Sequence, residues 1–319
     1  MEDENKTKYK WTFDDIPNLS GKTIIVTGSN SGIGFESIKY FSANGARTIL
    51  ACRNVKDGES AKEQILEEYP NGKISVMNLN LADLESIHSF VKKFNEKHSK
   101  LDVLLNNAGI ICPYEKTKDG FEMQLGTNHL GHFALTGLSL DCLKNTKGSR
   151  VVNVSSLGHK SGKMNFDNFM FEKGNYSIMK AYSKSKLANL LFTYELQRRF
   201  RKFNVDCIAV AAHPGVAKSS LSKHVIKKPL YRIGIAVSNS IISQSTSMGA
   251  LPEIRASVDP LVKGGDYFGP GGFQELKGYP TAVKSNDASH DLDDAKRLWE
   301  ISENLTKIRY GFGAERSES

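Results

Sequence analysis

Short apolar runs alternate with longer amphipathic stretches from Lys22 to about Ala212. The runs are rich in valine, isoleucine and leucine, and they occupy Thr23–Thr27, Arg47–Cys52, Ile74–Leu79, Val103–Asn106, Arg150–Ser155 and Val205–Ala211. Continuous apolar runs of this length are typical of parallel strands that are covered on both faces. We therefore predict a buried parallel strand at each of these positions.

The stretches between these runs have the length and the apolar spacing of helices. They include residues 32–44, 55–69 and 84–97, and turn-forming residues follow the first two of them. Strands and helices that alternate in this way predict the α/β class, with a doubly wound parallel sheet and helices on both of its faces.

The chain shows no internal repeat and no stretch that resembles an interdomain linker, so we predict one domain over residues 1–319. Residues 22–219 would form its core. Ligands of such sheets bind outside the carboxyl ends of the strands, and a segment after the last central strand, residues 219–250, is placed to cover that crevice. Residues 251–319 would form a C-terminal extension, and its pieces, including 295–306, should pack outside the sheet.

Composition indicates a cytoplasmic protein without membrane insertion, because no apolar run approaches the roughly 18 residues that cross a bilayer and the first residues are polar. The net charge is +8, but lysine and arginine are interleaved with acidic residues along the whole chain, which argues against nucleic-acid binding. The four cysteines, at positions 52, 112, 142 and 207, are scattered, so we expect neither disulfides nor a metal site. Cys52 and Cys207 lie in apolar runs and should be buried.

Three glycines, Gly28, Gly32 and Gly34, follow the first predicted strand and open the first predicted helix. Glycine at this place can serve a tight turn alone. It can also let the pyrophosphate of a dinucleotide approach the backbone N–H groups at the helix N-terminus.

The octet that holds these glycines, "TGSNSGIG", resembles the TGxxxGIG cofactor motif of the classical short-chain dehydrogenases/reductases. The other landmarks of that family follow in order: Asn106–Gly109 after the fourth strand, Asn128 in "TNHLGHF", Ser155-Ser156 after the fifth strand, "YSKSK" at 182–186, and Pro214-Gly215 after the sixth. The segments "GARTILACRN" and "NHLGHFALT" are similar to the retinol-dehydrogenase-like branch. The resemblance implies a Rossmann-type fold.

The resemblance also implies the catalytic residues Asn128, Ser156, Tyr182 and Lys186. Tyr182 would exchange a proton with the substrate oxygen, and Lys186, one helical turn later, would lower the pKa of the phenol and bind the nicotinamide ribose. Strand geometry lets only one of Ser155 and Ser156 face the substrate, and the family favours Ser156. Asn128 would hold a water that links the lysine to solvent. His129 and His132 are more simply packed or exposed residues, and His213 a loop residue.

The residues implied to bind the cofactor are Gly28, Asn30, Ser31, Gly32, Ile33, Gly34, Arg53, Asn80, Leu81, Asn107, Ala108, Gly109, Tyr182, Lys186, Pro214, Gly215, Val216 and Ser219. A cation after the second strand accommodates the 2′-phosphate of NADP, whereas an acidic residue would bind the ribose of NAD. Arg53 stands there, so NADP(H) is favoured. Asn80 stands where the family often carries an aspartate that binds adenine.

These features predict an NADP(H)-dependent carbonyl reductase or alcohol dehydrogenase. Aliphatic residues in the covering segment, Leu221, Val225, Ile226, Leu230, Ile233 and Ile235, favour a mostly apolar small molecule such as an aldehyde, ketone, steroid or retinoid. The polar amino terminus, unlike the hydrophobic anchor of membrane-bound relatives, argues against a specifically retinoid substrate. The family resemblance implies a homodimer or tetramer. The alternative is a catalytically inactive dinucleotide-binding protein used for sensing or for partner contacts.

Overall fold

A computed structural model describes residues 10–217 and 243–313 of the chain. Its eight strands lie in one sheet with the order β3-β2-β1-β4-β5-β6-β7-β8. The strands are β1 (Thr23–Thr27), β2 (Arg47–Cys52), β3 (Lys73–Asn78), β4 (Val103–Asn106), β5 (Ser149–Val154), β6 (Cys207–Ala212), β7 (Tyr267–Pro270) and β8 (Pro280–Ala282). All neighbouring pairs are parallel except β7 and β8. The predicted α/β class with a doubly wound parallel sheet is confirmed.

The helices are α1 (Gly32–Ala43), α2 (Val55–Glu68), α3 (Leu84–Asn95), α4 (Met123–Leu125), α5 (Gly131–Leu138), α6 (Leu140–Lys144), α7 (Ile178–Lys202), α8 (Thr246–Val258) and α9 (Leu292–Thr306). Apolar side chains of α1, α2 and α8 form a cluster with one face of the sheet, and those of α3, α5 and α7 with the other. Cys52 and Cys207 are buried in these clusters, as predicted. Across the described ranges, no helix is both long and apolar enough to cross a membrane.

The predicted bounds of β1, β2 and β4 agree with the structure at every residue. The bounds of β3, β5 and β6 differ from the prediction by one or two residues. Strand β3 starts at the exposed Lys73, which pairs with the equally exposed Arg47 of β2. Strand β5 starts at Ser149, whose hydroxyl donates to the carbonyl of Leu143. Backbone pairing defines these ends, and polar residues can take part in it.

The C-terminal third differs from the prediction in two places. The predicted extension does not lie wholly outside the sheet, because β7 and β8 continue the sheet beyond β6. These strands are short and contain glycine and proline, so no apolar run marked them. The helix α9 does pack outside, where Trp299 contacts Phe133 of α5.

The predicted covering segment also differs at its end, because residues 246–250 begin α8, which packs against α1. The rest of that segment up to residue 242, with Ser219 and the six aliphatic residues named above, lies outside the described residues.

The strand order reverses direction between β1 and β4, which are neighbours in the sheet although β2 and β3 lie between them in sequence. In open α/β sheets, ligands bind in the crevice at such a switch point, outside the carboxyl ends of the strands. The turns after β1, β4, β5 and β6 therefore meet at one edge, and the residues on these turns form the candidate site.

Candidate active site

The turn between β1 and α1 is shaped by its three glycines. Gly28 and Gly32 both have φ of +64°, in the left-handed region that side chains disfavour. A Cβ on Gly34 would lie 2.5 Å from Nδ2 of Asn107, whereas a Cβ on Gly32 would meet nothing within 4 Å. The space beside Gly32 is thus open to a ligand, and the backbone there can be approached closely.

The first turn of α1 leaves backbone donors facing this space. Ser31, the residue before the helix, makes no capping hydrogen bond through its side chain within the described chain. N–H groups at a helix N-terminus and the helix dipole together attract phosphate groups. The turn therefore suits the pyrophosphate of a dinucleotide, because it combines open space, the N–H groups of a helix N-terminus and partial positive charge.

A cleft extends from this turn along the ends of β2, β3 and β4. Twelve of the residues predicted to bind the cofactor line it: Gly28, Asn30, Ser31, Gly32, Ile33, Gly34, Arg53, Asn80, Leu81, Asn107, Ala108 and Gly109. Tyr182, Lys186, Pro214, Gly215 and Val216 lie outside this cleft, on α7 and on the turn after β6. Ser219 falls outside the residues that the structure describes.

Arg53 stands at the mouth of the cleft, directly after β2. Its carbonyl accepts a hydrogen bond of 2.8 Å from Nδ2 of Asn78, which fixes the backbone at this point. The next residue, Asn54, caps α2 by accepting from Lys56 and Asp57. The Arg53 side chain is exposed, so a cation stands beside the cleft.

Two neighbouring asparagines after β4 stabilise the sheet edge. Asn107 donates through Nδ2 to the carbonyl of Thr27 at 2.6 Å, which joins the ends of β1 and β4. Asn106 is buried and donates to Oδ1 of Asn153 on β5 at 2.8 Å. Asn107 also lines the cleft, so it both supports the turn and faces the ligand space. Asn80 forms its own local turn, with Oδ1 accepting from the N–H of Ala82.

The serines after β5 point in different directions. Ser155 is buried, and its hydroxyl donates to the carbonyl of Lys186 at 2.9 Å. Ser156 is half-buried and accepts from the N–H of Gly158 at 3.1 Å, and its hydroxyl lies near enough to Tyr182 to lower the pKa of the phenol. A Cβ on Gly158 would lie 3.3 Å from the Tyr182 ring, so glycine leaves room for this contact. Ser156, not Ser155, is the serine that lies beside the phenol.

Tyr182 and Lys186 lie on the first part of α7, and both side chains are buried. The Lys186 ammonium donates to the carbonyl of Val154 at 2.9 Å, and it lies 5.8 Å from the centroid of the Tyr182 ring. Burial raises the pKa of Tyr182, and the Ser156 hydrogen bond lowers it in part. The expected lowering of this pKa by Lys186 is not seen. Burial lowers the pKa of Lys186 to about 8.

Asn128 lies in a π-helical turn, Gly126–Leu130, between α4 and α5. Such single turns inside helices occur frequently at functional sites. Its Oδ1 accepts from the N–H of Ile110 at 2.8 Å, and its Nδ2 donates to the hydroxyl of Ser185 at 2.9 Å. Ser185 in turn donates to the carbonyl of Tyr182. Asn128 thus links the strand edge after β4 to the helix that carries the phenol.

Two nearby histidines are packed residues. His129 bonds to the hydroxyl of Ser302, and His132 to that of Thr27. Burial lowers the pKa of His129 to about 3 and that of His132 to about 4. Both are therefore neutral at physiological pH, as expected of core histidines.

Three acidic or amide residues near the site belong to no sequence motif and were not predicted. Glu275 bonds to His213, Gln244 bonds to the turn after β6, and Glu253 lies buried behind α1. Each partner is at least 30 residues away along the chain. The burial of a glutamate is the exceptional feature here, and only the three-dimensional structure reveals it.

The family model of short chain dehydrogenases matches residues 22–229. Human retinol dehydrogenase 11 is 48% identical over 207 residues, which cover 65% of this chain and 64% of that protein. Mouse retinol dehydrogenase 12 is 38% identical over 298 residues, which cover 92% of this chain and 88% of that protein. The first of these matches thus spans less than two thirds of its relative's length.

Solved structures have the same architecture. A crystal structure of an uncharacterised protein from Mycobacterium paratuberculosis superposes with a TM-score of 0.78 at 36% identity and covers 95% of this chain and 99% of its own. RhlG of Pseudomonas aeruginosa, solved with NADP in its active site, has a TM-score of 0.61 at 18% identity, and the match covers 78% of this chain and 94% of that one. The second likeness supports the fold alone.

Proposed function

The chain belongs to the short-chain dehydrogenase family, and from this membership we propose that it is an NADP(H)-dependent oxidoreductase. Its substrate would be a mostly apolar small molecule that carries a carbonyl or an alcohol. The observation that carries the proposal is that Tyr182 and the Ser156 hydroxyl lie side by side against Gly158, where a Cβ would be 3.3 Å from the ring and 3.6 Å from Oγ, at the sheet edge where the glycine turn opens. The hydroxyls of Ser156 and Tyr182 and the glycine turn after β1 therefore lie at the same edge of the sheet.

The proposed chemistry divides between a bound nicotinamide, which supplies or accepts the hydride, and the protein, which handles the proton. In reduction, the Tyr182 hydroxyl donates its proton to the substrate oxygen. Ser156 donates a hydrogen bond to the same oxygen and holds it near the phenol. Because burial raises the pKa of Tyr182, the phenol is protonated at neutral pH and is ready to act as the donor.

Lys186 and Asn128 support this proton transfer. The ammonium of Lys186 is on the same face of α7 as Tyr182, one turn further along, and stabilises the phenolate that proton donation leaves. Its contact with the Val154 carbonyl keeps the charge at the sheet edge. Asn128 fixes the first turns of α7 through Ser185.

The choice of NADP(H) rests on Arg53. The guanidinium lies beside the cleft directly after β2, and a ribose 2′-phosphate would form a charge-assisted bond with it. No acidic residue occupies the end of β2 itself. An acidic residue there would favour the free ribose of NAD.

The substrate class is proposed from composition and from the relatives. The relatives at 38% to 48% identity are named retinol dehydrogenases, so retinol and retinaldehyde belong in the first set of compounds tested. Apolar aldehydes, ketones and steroids complete that set. The cytoplasmic location, the single domain and the homo-oligomer predicted from the sequence stay predictions.

A spectrophotometric assay tests the proposal. Purified chain is incubated with NADPH and each carbonyl compound, and with NADP and each alcohol, while absorbance at the nicotinamide band is followed. The proposal expects enzyme-dependent turnover with at least one apolar compound and a preference for the phosphorylated cofactor. Absence of dinucleotide binding in a direct titration with NADPH would contradict it.

A further inference from the structure

The turn after β6 lies beside the turn after β5 that carries Ser155 and Ser156. The N–H of Ser155 donates to the carbonyl of Ala212 at 2.8 Å, so the chain leaving β5 and the chain leaving β6 run side by side at the sheet edge. Pro214 and Gly215 follow immediately, and we call residues 213–216 the β6 turn. The family resemblance implies that Pro214, Gly215 and Val216 contact the nicotinamide end of the bound cofactor.

A loop from the C-terminal third lies directly against the β6 turn. It comprises residues 271–279 between β7 and β8, and we call it the clamp loop. The N–H of Gly271 donates to the carbonyl of Tyr279 at 2.8 Å, which closes the loop at its base. Gln274 and Glu275 have φ of 48° and 60°, two successive side-chain-bearing residues in the left-handed region. Such strain persists only where surrounding contacts fix the backbone, and it clusters at functional sites.

Glu275 joins the clamp loop to the β6 turn through a buried histidine. Nδ1 of His213 accepts from the N–H of Gly215 at 3.2 Å, so the ring proton must reside on Nε2, which donates to Glu275 at 3.0 Å. Burial lowers the pKa of His213, and the hydrogen bond from His213 lowers that of Glu275. The pair is therefore a neutral imidazole and a carboxylate. Any side chain at Gly269 would overlap the His213 ring.

The same carboxylate reaches the turn that begins at Ser156. Its other oxygen accepts from Nζ of Lys160 at 3.1 Å, and Lys160 lies in the short helix Leu157–Ser161 that Ser156 caps. Glu275 thus connects the short helix that Ser156 caps with the β6 turn. One side chain from the C-terminal third bridges two turns of the candidate site.

Gln244 makes a second connection between the clamp loop and the β6 turn. Its side-chain amide donates to the carbonyl of Pro214 at 2.9 Å, and its amide oxygen accepts from the N–H of Gly278 at 3.0 Å. The backbones also meet directly, because the N–H of Val216 donates to the carbonyl of Leu276 at 2.8 Å. The β6 turn is therefore held at His213, Pro214 and Val216 by groups that follow it in sequence.

We propose that Glu275 and Gln244 are positioning residues that set the β6 turn, and with it the nicotinamide half of the bound cofactor. This role rests on the proposed function, because it assumes that a nicotinamide dinucleotide binds along the sheet edge. The adenosine half binds at β1–β3, on the far side of the switch point, and does not depend on the clamp loop. The two halves of the cofactor can thus be tested separately.

The test compares NADPH with 2′,5′-ADP, which carries only the adenosine half. Both are titrated calorimetrically into wild type, Glu275→Ala and Glu275→Gln, and the shift of NADPH fluorescence reports the surroundings of the nicotinamide ring. Glu275→Ala should weaken NADPH binding about tenfold, as loss of a hydrogen bond to a charged group implies, while 2′,5′-ADP affinity stays unchanged. Glu275→Gln keeps an acceptor for His213 and should recover part of the loss.

Phe273→Ala provides the matched control, because Phe273 lies in the same loop and is 78% exposed. It should change neither affinity. If Glu275→Ala does not fold, Gln244→Ala carries the same comparison. Equal losses for NADPH and 2′,5′-ADP, or no loss for either, would overturn the positioning role. If wild type binds both 2′,5′-ADP and NADPH, such a result overturns the positioning role alone and not the proposed function. If wild type binds neither ligand, both proposals are contradicted.

Discussion

The ammonium of Lys186 lies 5.8 Å from the ring centroid of Tyr182 and donates to the carbonyl of Val154, not to the phenol. The two side chains share a face of α7, as their spacing predicts, yet the structure gives no direct bond between them. In the proposed function the lysine would therefore act on the phenolate through its charge, without a hydrogen bond to the phenol. Its effect should be largest when Tyr182 has given up its proton, because phenolate and ammonium attract each other.

Replacing Lys186 with Met should abolish most of the activity and leave the fold intact. Removal of the charge costs stabilisation of the phenolate, and we expect kcat to fall about 100-fold or more, the scale of acid–base catalysis. Lys184→Met is the control, because Lys184 is also buried on α7 but donates to the carbonyls of Asn168 and Phe169. Steady-state kinetics of both variants make the comparison. Equal losses in the two variants would contradict a specific role for the charge of Lys186.

Arg53→Ala should reduce the preference for NADPH over NADH. Loss of a charge-assisted hydrogen bond to the 2′-phosphate should weaken NADPH binding about 10- to 100-fold, with NADH affinity unchanged. Arg47→Ala is the control, because that arginine lies at the opposite end of β2. Fluorescence titrations with the two cofactors give the ratio. An unchanged ratio in Arg53→Ala would remove the basis for assigning NADP(H).

Gly32→Ala should weaken dinucleotide binding while costing only modest stability. A side chain in the left-handed region costs about 1–2 kcal/mol, and here its Cβ would stand where a phosphate approaches the backbone. Gly148→Ala is the matched control, because Gly148 has φ of +66° and a Cβ there would also meet nothing within 4 Å. Gly148 directly precedes β5, so it lies at the amino ends of the strands, opposite the cleft.

Both glycine variants should lose similar stability in urea unfolding, and only Gly32→Ala should lose NADPH affinity. If both variants kept full affinity, the pyrophosphate would not rest on this turn.

The buried Glu253 should make folding stability depend on pH. Burial raises its pKa from the ordinary 4.5 to about 8, against smaller effects of its bond to Ser37 and of Lys186. Because the folded chain then binds a proton that the unfolded chain has released, this group's contribution falls as pH rises from about 4.5 to 8, by up to about 1.4 kcal/mol per pH unit. Glu253→Gln should remove this slope and gain relative stability at pH 8. The free energy of unfolding of both proteins is measured in urea across pH 5–8.5. If the difference between wild type and Glu253→Gln did not change with pH, the assignment would be contradicted.

The sequence predicted the inner sheet and the cofactor turn because both leave local signals. Strands β1, β2 and β4 each contain a buried apolar run. Gly28 and Gly32 have left-handed φ values, which glycine adopts more readily than other residues.

The remaining features depend on contacts between distant parts of the chain. Glu275 lies 62 residues from His213, and Glu253 lies 216 residues from Ser37. Nothing in their local sequence distinguishes them from exposed glutamates. Strands β7 and β8 are likewise too short and too rich in glycine and proline to be predicted from apolar pattern.

Removal of the Tyr182 hydroxyl tests the central claim most directly. Tyr182→Phe is compared with Tyr194→Phe, which removes the hydroxyl of another buried tyrosine of α7, one that bonds to Ser285 and not to Ser156. NADPH oxidation with the best carbonyl compound and NADPH affinity are measured for both. We predict that Tyr182→Phe keeps its affinity and loses turnover about 100-fold or more, while Tyr194→Phe keeps both. Full turnover in Tyr182→Phe would contradict the account.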